Sequence, residues 1–189
     1  MNATKAVREE SGQALVELSM CVLLLCVLIF GIIDFGRAIY DVQVMKNLAG
    51  EGSSIASRAL RGNTAADTAN VVANYAGADL AMSSNGCVIV TIVTNEGGGP
   101  PATLAITDQA YVCGISAKSK IGCLMGTGGC GSDVPSLPAS AKTALQYEPQ
   151  GSFLGVTEIY YNYSAITPVG GWLGGGNVLP SQFYTVAFY

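Results

Sequence analysis

The sequence predicts an α+β fold. A long N-terminal helix, half in membrane and half a stalk, packs on a small antiparallel β-sheet domain with glycine-rich loops. Three observations predict it. Ala14 to Ile33 is a run of twenty residues whose only charge is Glu17. Apolar and small residues then recur at three- and four-residue steps as far as Ala59. Beyond that point, β-branched and aromatic runs alternate with stretches rich in Gly, Pro and Ser.

The first run is long enough for a bilayer: at about 1.5 Å per residue it spans about 30 Å. Val22 to Ile33 is apolar on every face, which a buried helix of a soluble domain would not need to be. Lys5 and Arg8 resemble the charged start of a secretory signal peptide, but no small-residue cleavage site follows the run, which ends in Asp34-Phe-Gly-Arg37. The run therefore reads as a retained anchor. The positive-inside rule gives a slight bias to a cytoplasmic N-terminus, with Lys5 and Arg8 before the run and Arg37 and Lys46 after it. Glu17 is the costly residue. A charge at the centre of a membrane helix costs about 2.5–3.5 kcal/mol on insertion scales and calls for a partner. Cutting the chain after Gly12 would create one, because Gln13 would become an ammonium terminus and Glu17 the fifth residue of the mature chain.

The helix is expected to continue past the anchor on an apolar stripe of Phe35, Ile39, Val42, Met45, Leu48, Ala49, Gly52, Ile55, Ala56 and Ala59. Gly50 and Gly52 weaken it by roughly 0.5–1 kcal/mol each relative to Ala. Gly62-Asn63 is the expected stop. Thr64 to Asp79 reads as a second helix, opened by a capping box with Asp67 in place of the usual Glu. Ser83-Ser-Asn-Gly86 breaks it.

Strands follow. Cys87 to Thr94 is β-branched and bounded by turn residues, and Thr103 to Val112 is a patchier partner across Glu96-Gly-Gly-Gly-Pro-Pro101. Val156 to Tyr163 alternates as a half-buried strand, and Gln182 to Tyr189 closes the sheet. Gly122 to Ser140 and Gly170 to Gly176 read as glycine-rich loops. The stalk is expected to cover one face of the sheet.

The cysteines divide by location. Cys21 and Cys26 lie in the anchor and are expected to be free. Cys87, Cys113, Cys123 and Cys130 lie downstream, where an even number favours two disulfides in an exported domain. Cys87 and Cys113 are equidistant from residue 100 in the hairpin turn, so they are expected to face each other, leaving Cys123 and Cys130 to pair. The rival reading is a zinc site of four thiolates, but spacings of 26, 10 and 7 residues contain no C-x-x-C knuckle.

Much chemistry is disfavoured. The chain has no histidine, the commonest general base and zinc ligand. A net charge of −4 with no basic patch argues against nucleic acid. The glycine-rich loops lack the Lys-Ser/Thr of a phosphate loop. Asp108, Asp133, Glu148 and Glu158 have no calcium-loop spacing. No catalytic residue, metal or cofactor is assigned. Tyr160, Tyr161, Tyr163 and Trp172 fit either a strand core or an adhesive surface.

The segment Arg8-Glu-Glu-Ser-Gly12-Gln-Ala-Leu-Val-Glu17, the hydrophobic run and Asp34-Phe-Gly-Arg37 resemble the TadE/TadG-like pseudopilins of Tad/Flp-type (type IVb) pilus systems. The likeness covers about residues 8–61, with a weaker echo in the Tyr-rich segment that ends in Thr167-Pro168. It implies cleavage by a prepilin peptidase between Gly12 and Gln13, and a role in pilus assembly, priming or at the tip. Glu17 would be the assembly residue. The first residue after the cut departs from the major pilins, where Phe or Met is common. The expected organisation is a leader at 1–12, a transmembrane and assembly helix at 13–34, an amphipathic stalk at 35–62 and an extracytoplasmic pilin-like domain at 63–189. Expected partners are the peptidase, other pilin subunits, inner-membrane assembly proteins and the bacterial inner membrane itself before assembly. A membrane-anchored binding module or adhesin is the alternative.

Overall fold

The structure is a computed structural model that describes residues 3–58, 64–76, 80–97, 103–122, 135–167 and 180–189, with side chains from residue 12 onward. Its elements in chain order are α1 (Ala3–Arg58), α2 (Ala65–Tyr75), α3 (Met82–Asn85), β1 (Gly86–Asn95), β2 (Leu104–Cys113), α4 (Ala139–Tyr147), β3 (Phe153–Asn162) and β4 (Gln182–Phe188). The fold is the expected α+β one. Two compact units make it up: Met1–Ile39 with Ser164–Leu179, and Tyr40–Tyr163 with Pro180–Tyr189.

In the second unit, four antiparallel strands lie in the order β2-β1-β3-β4. Side chains alternate across a strand, so each strand divides between two faces. One face carries Val88, Val90, Thr157 and Ile159, all buried, and packs on α1 and α2. The approach is close because the contacting residues are small. A Cβ added at Gly52 would lie 2.9 Å from both Thr157 Oγ1 and Val72 Cγ2. One added at Gly155 would lie 2.8 Å from Ala56 Cβ and from the Ser53 carbonyl. Gly52 is thus a packing residue as well as a weak helix former. Residues 52–57 of α1 lie on one sheet face, where the stripe pattern places the stalk.

The rotation of α1 differs from the expectation at its upstream end. Its buried residues are Asp34, Ala38, Asp41, Met45, Leu48, Ala49, Gly52, Ser53 and Ala56. Phe35 and Ile39 are 47% and 58% exposed. At about 100° per residue, Ile39 sits about 120° round the helix from Met45. Small residues at 52, 53 and 56 fix which line faces the sheet, and two carboxylates share that line upstream.

The opposite sheet face is covered too. Val93, Leu104, Ile106 and Val156 pack with Ile121 and with Leu145 of α4. Cys87, Ile89 and Tyr160 pack with Ala117. Consequently β3 is a central strand buried on both faces, rather than the half-buried strand its alternation suggests. Helix α4 is an addition to the expected elements, and it takes residues 139 and 140 from the expected loop. Its few apolar residues bury only Leu145, so its periodic signal is faint.

Local details follow the sequence. Thr64 caps α2: its hydroxyl accepts from the Asp67 N–H at 3.3 Å, and its own N–H donates to the Asp67 carboxylate at 3.0 Å. The Thr64 N–H bond, with a second from the Thr64 hydroxyl to the same carboxylate at 3.0 Å, holds the Asp67 carboxyl below its usual range. The Ala65 N–H donates to Asp108 on β2 at 2.8 Å, placing a second carboxylate at the positive end of α2. The stop expected at Gly62-Asn63 lies outside the described residues, as do the loop at 170–176 and most of the one at 122–140. The break at 83–86 is a single helical turn, α3, that leads straight into β1.

Candidate functional site

The anchor portion of α1 belongs to the first unit. Gly12–Arg58 is long and apolar enough to cross a membrane, with a mean hydropathy of 2.8 in its most apolar window and none of that window buried. Leu15, Leu18, Met20, Leu24 and Ile32 are 62–72% exposed. Such apolar exposure on every side fits a single-pass anchor surrounded by lipid or by other apolar helices. Within this surface the Glu17 side chain is exposed, one helical turn after Gln13. The Ser19 hydroxyl donates to the Val16 carbonyl at 2.7 Å, so it adds no unsatisfied polar group to the apolar surface. Gly12 lies inside the helix, and a Cβ there would meet nothing within 4 Å.

At the other end of the anchor the structure brings together two segments that the sequence separates widely. Asp34 is 6% exposed. Its Oδ1 accepts the Ile166 N–H at 3.2 Å and the Thr167 N–H at 3.3 Å, and its Oδ2 accepts the Thr167 hydroxyl. The aspartate of Asp34-Phe-Gly-Arg37 thus holds the threonine of Thr167-Pro168. Charge-assisted bonds of this type are about twice as strong as neutral ones. This clasp is the functional feature that sequence reasoning missed. Both halves are visible as motifs, but a separation of 133 residues gives no cue that they meet.

The thiols fall as follows. Cys87 and Cys113 form a disulfide between directly paired residues of β1 and β2. The two thiols are therefore not part of a four-thiolate zinc site. Cys123 and Cys130 lie outside the described residues. Cys21 and Cys26 are free and exposed on the anchor. Among the described residues no group of three or more His, Cys, Asp or Glu side chains is placed to hold a metal ion.

The tyrosines belong to the core. Tyr160, Tyr161 and Tyr163 are 5–8% exposed, which removes them from any adhesive surface; Trp172 lies outside the described residues. The Tyr160 and Tyr184 rings meet at 4.8 Å between centroids, tilted by 46°, and the Lys120 ammonium sits 3.6 Å above the Tyr184 ring. Beside them lies Glu158, fully buried. It accepts from the Ser119 hydroxyl, from the Lys120 N–H at 2.9 Å and from the Tyr184 hydroxyl at 3.0 Å. Burial and the Glu158 charge push the Tyr160 phenol up to about 12 and raise that of Tyr184 further. The Tyr160 hydroxyl donates to the Lys118 carbonyl at 2.7 Å. Ser119 and Lys120 bind this carboxylate and so fasten residues 118–121 to the sheet.

No curated protein and no solved structure matches the chain. A family model described as TadE-like protein matches residues 12–54. The match begins at Gly12, includes Glu17, the whole anchor and Asp34, and ends beside Gly52 and Ser53 where α1 meets the sheet. Thr167, the other half of the clasp, lies beyond it. Over residues 12–54 the chain is similar to the TadE-like family.

Proposed function

We propose that this protein is a pseudopilin or minor pilin of a Tad/Flp-type pilus, anchored in the bacterial inner membrane by α1 with its sheet domain outside the cytoplasm. The observation that carries the reading is that the TadE-like match begins at Gly12 and encloses Glu17 on an uncovered apolar helix. The role is structural rather than catalytic. Residues 1–12 are a leader, 13–34 the transmembrane and assembly helix, 35–62 the stalk and 63–189 the pilin-like domain.

A prepilin peptidase cuts between Gly12 and Gln13. In the uncut chain that bond lies within α1, so cleavage needs a local unwinding. Gly12 makes unwinding easier, by about 1 kcal/mol relative to Ala, and its missing side chain lets a protease approach the backbone. The new Gln13 ammonium then neutralises Glu17, either one turn along its own helix or on an adjacent subunit. Other pilin subunits and inner-membrane assembly proteins are the partners that follow.

Glu17→Gln tests this reading. It keeps the shape and the hydrogen bonding and removes the charge. The variant is expected to insert and be cleaved normally but to fail in supporting pilus assembly. Pili at wild-type levels in cells whose only copy is Glu17→Gln would remove Glu17 from the mechanism.

A further inference from the structure

Residues 166–168 offer no free backbone N–H. Ile166 and Thr167 donate theirs to Asp34 Oδ1 at 3.2 and 3.3 Å, and residue 168 is a proline, which has none. The Thr167 hydroxyl donates to the same carboxylate. Asp34 in turn holds these three donors and is 6% exposed. A polar group away from water is far more costly when it lacks a partner, so this short stretch suits surroundings poor in water.

The stretch is nonetheless uncovered. Ala165 is exposed and Ile166 is 61% exposed. A lone surface isoleucine is ordinary, but this one is fastened to the end of an apolar span. A helical side chain leans toward the helix N-terminus, so the Asp34 carboxylate lies over the turn before it, Phe30 to Ile33. Ile32 and Ile33 on that turn are 72% and 49% exposed. The hydrogen bonds to Asp34 therefore hold Ile166 level with the last apolar turn of the anchor.

We infer that residues 165–167 are a second membrane-contacting element: Asp34 holds them in the outer boundary between headgroups and acyl chains, with Ile166 against lipid. The occupant follows from continuity. At the same level the anchor surface is apolar and exposed, and lipid is what surrounds a single span. An apolar residue in that boundary gains by burial, while the satisfied N–H groups behind it add no penalty. The clasp thus does more than join two distant segments. It makes the outer end of the anchor a contact of two chain segments with the bilayer. The inference rests on reading α1 as a membrane anchor and does not depend on the Gly12 cut or on Glu17.

Fluorescence quenching by brominated lipid tests it on the full chain in phosphatidylcholine vesicles at high lipid-to-protein ratio. Trp172→Phe removes the one tryptophan. In that background, Ile166→Trp and Leu24→Trp each supply a single reporter. Leu24 lies near the middle of the apolar run, about 15 Å along the helix from Asp34. An interfacial group sits about 5–10 Å into the headgroup–acyl boundary, so bromines near the carbonyl end of the acyl chain are expected to quench the Ile166→Trp reporter at least about twofold more than bromines near the methyl end. The Leu24→Trp reporter is expected to show the reverse order. Tryptophan favours such boundaries by itself, so Asp34→Ala assigns the placement to the clasp: it is expected to cut the lipid quenching of the Ile166→Trp reporter at least about twofold as the segment is released. Quenching that survives Asp34→Ala overturns the inference. So does an Ile166→Trp reporter that escapes brominated lipid while the Leu24→Trp reporter does not, whether acrylamide reaches it from water or a neighbouring protein surface covers it. If the Leu24→Trp reporter also escapes brominated lipid, the anchor reading itself fails, and the inference with it.

Discussion

The carboxylate of Asp34 accepts both the backbone N–H and the side-chain hydroxyl of Thr167, with a further bond from the Ile166 N–H. It is one of two aspartates, with Asp41, buried on the line of α1 that a hydrophobic stripe would occupy. An aspartate at the end of an apolar run is a costly residue to bury, and three donors from one short segment meet that cost.

Asp34→Ala is accordingly expected to free residues 166 and 167 while leaving the sheet folded. Hydrogen bonds to a charged group are worth about 1.5–3 kcal/mol each, so amide exchange at Ile166 and Thr167 should accelerate at least about tenfold. Thr167→Val should show a smaller effect, because both N–H donors remain. Unchanged exchange at both amides in Asp34→Ala would contradict the clasp.

The two stalk glycines should respond oppositely to the same substitution. A Cβ at Gly50 meets nothing within 4 Å, so Gly50→Ala is expected to stabilise by about 0.5–1 kcal/mol through helix propensity. At Gly52 the added methyl meets buried Thr157 and Val72, and overpacking there is expected to cost about 1–3 kcal/mol. Chemical denaturation of the two variants checks the sign of each. Equal responses would mean that α1 does not approach β3 through Gly52.

Burial of Tyr160, and after it the neighbouring Glu158 charge, makes the domain sensitive to alkali. The phenol of Tyr160 is raised to about 12 in the folded protein, from about 10 in the unfolded chain. A raised value contributes stability that is fully present below pH 10 and is lost as pH climbs through 12, because the unfolded chain gives up its proton first. Glu158→Gln removes the neighbouring charge, so Tyr160 should titrate closer to 10 and that alkaline loss should shrink. The same variant is expected to cost about 1–3 kcal/mol at neutral pH, since Ser119, Lys120 and Tyr184 lose a charged acceptor. Phenolate absorbance during a pH titration reads the first effect, and denaturant melts read the second. A Tyr160 midpoint unmoved in Glu158→Gln would assign the shift to burial alone.

Which parts of this architecture were legible in the sequence follows from where their causes lie. The anchor and the Thr64–Asp67 cap are local, and local patterns show them. Facing cysteines at 87 and 113 were legible because hairpin pairing sets residues at a constant sum, and the first six pairs of β1 and β2 all add to 200. The bulge at Thr107 then shifts that sum by one, and nothing in the patchy strand announces it. The stripe on α1 misled at Phe35 and Ile39 because periodicity ranks large apolar residues as inside. Here the close contact of Gly52 and Ala56 with β3 decides the rotation, and a membrane-proximal helix can leave phenylalanine and isoleucine outward. The alternation of Val156 to Tyr163 suggests a half-buried strand, and Glu158 is nonetheless fully buried because residues 118–121 fasten over its face, a contact between distant segments. The Asp34 clasp depends on a contact between distant segments, which no local rule contains.

On the proposed reading, α1 becomes an assembly helix when the chain is cut before Gln13. The N-terminal residue of the mature protein tests this most directly, read by intact mass and terminal sequencing of protein taken from cells assembling the pilus. A chain beginning at Gln13 in the wild type, and at Met1 in Gly12→Leu, is the predicted result. Protein that retains Met1 in assembled pili would contradict the account, leaving an anchored domain whose Glu17 has no new ammonium to meet.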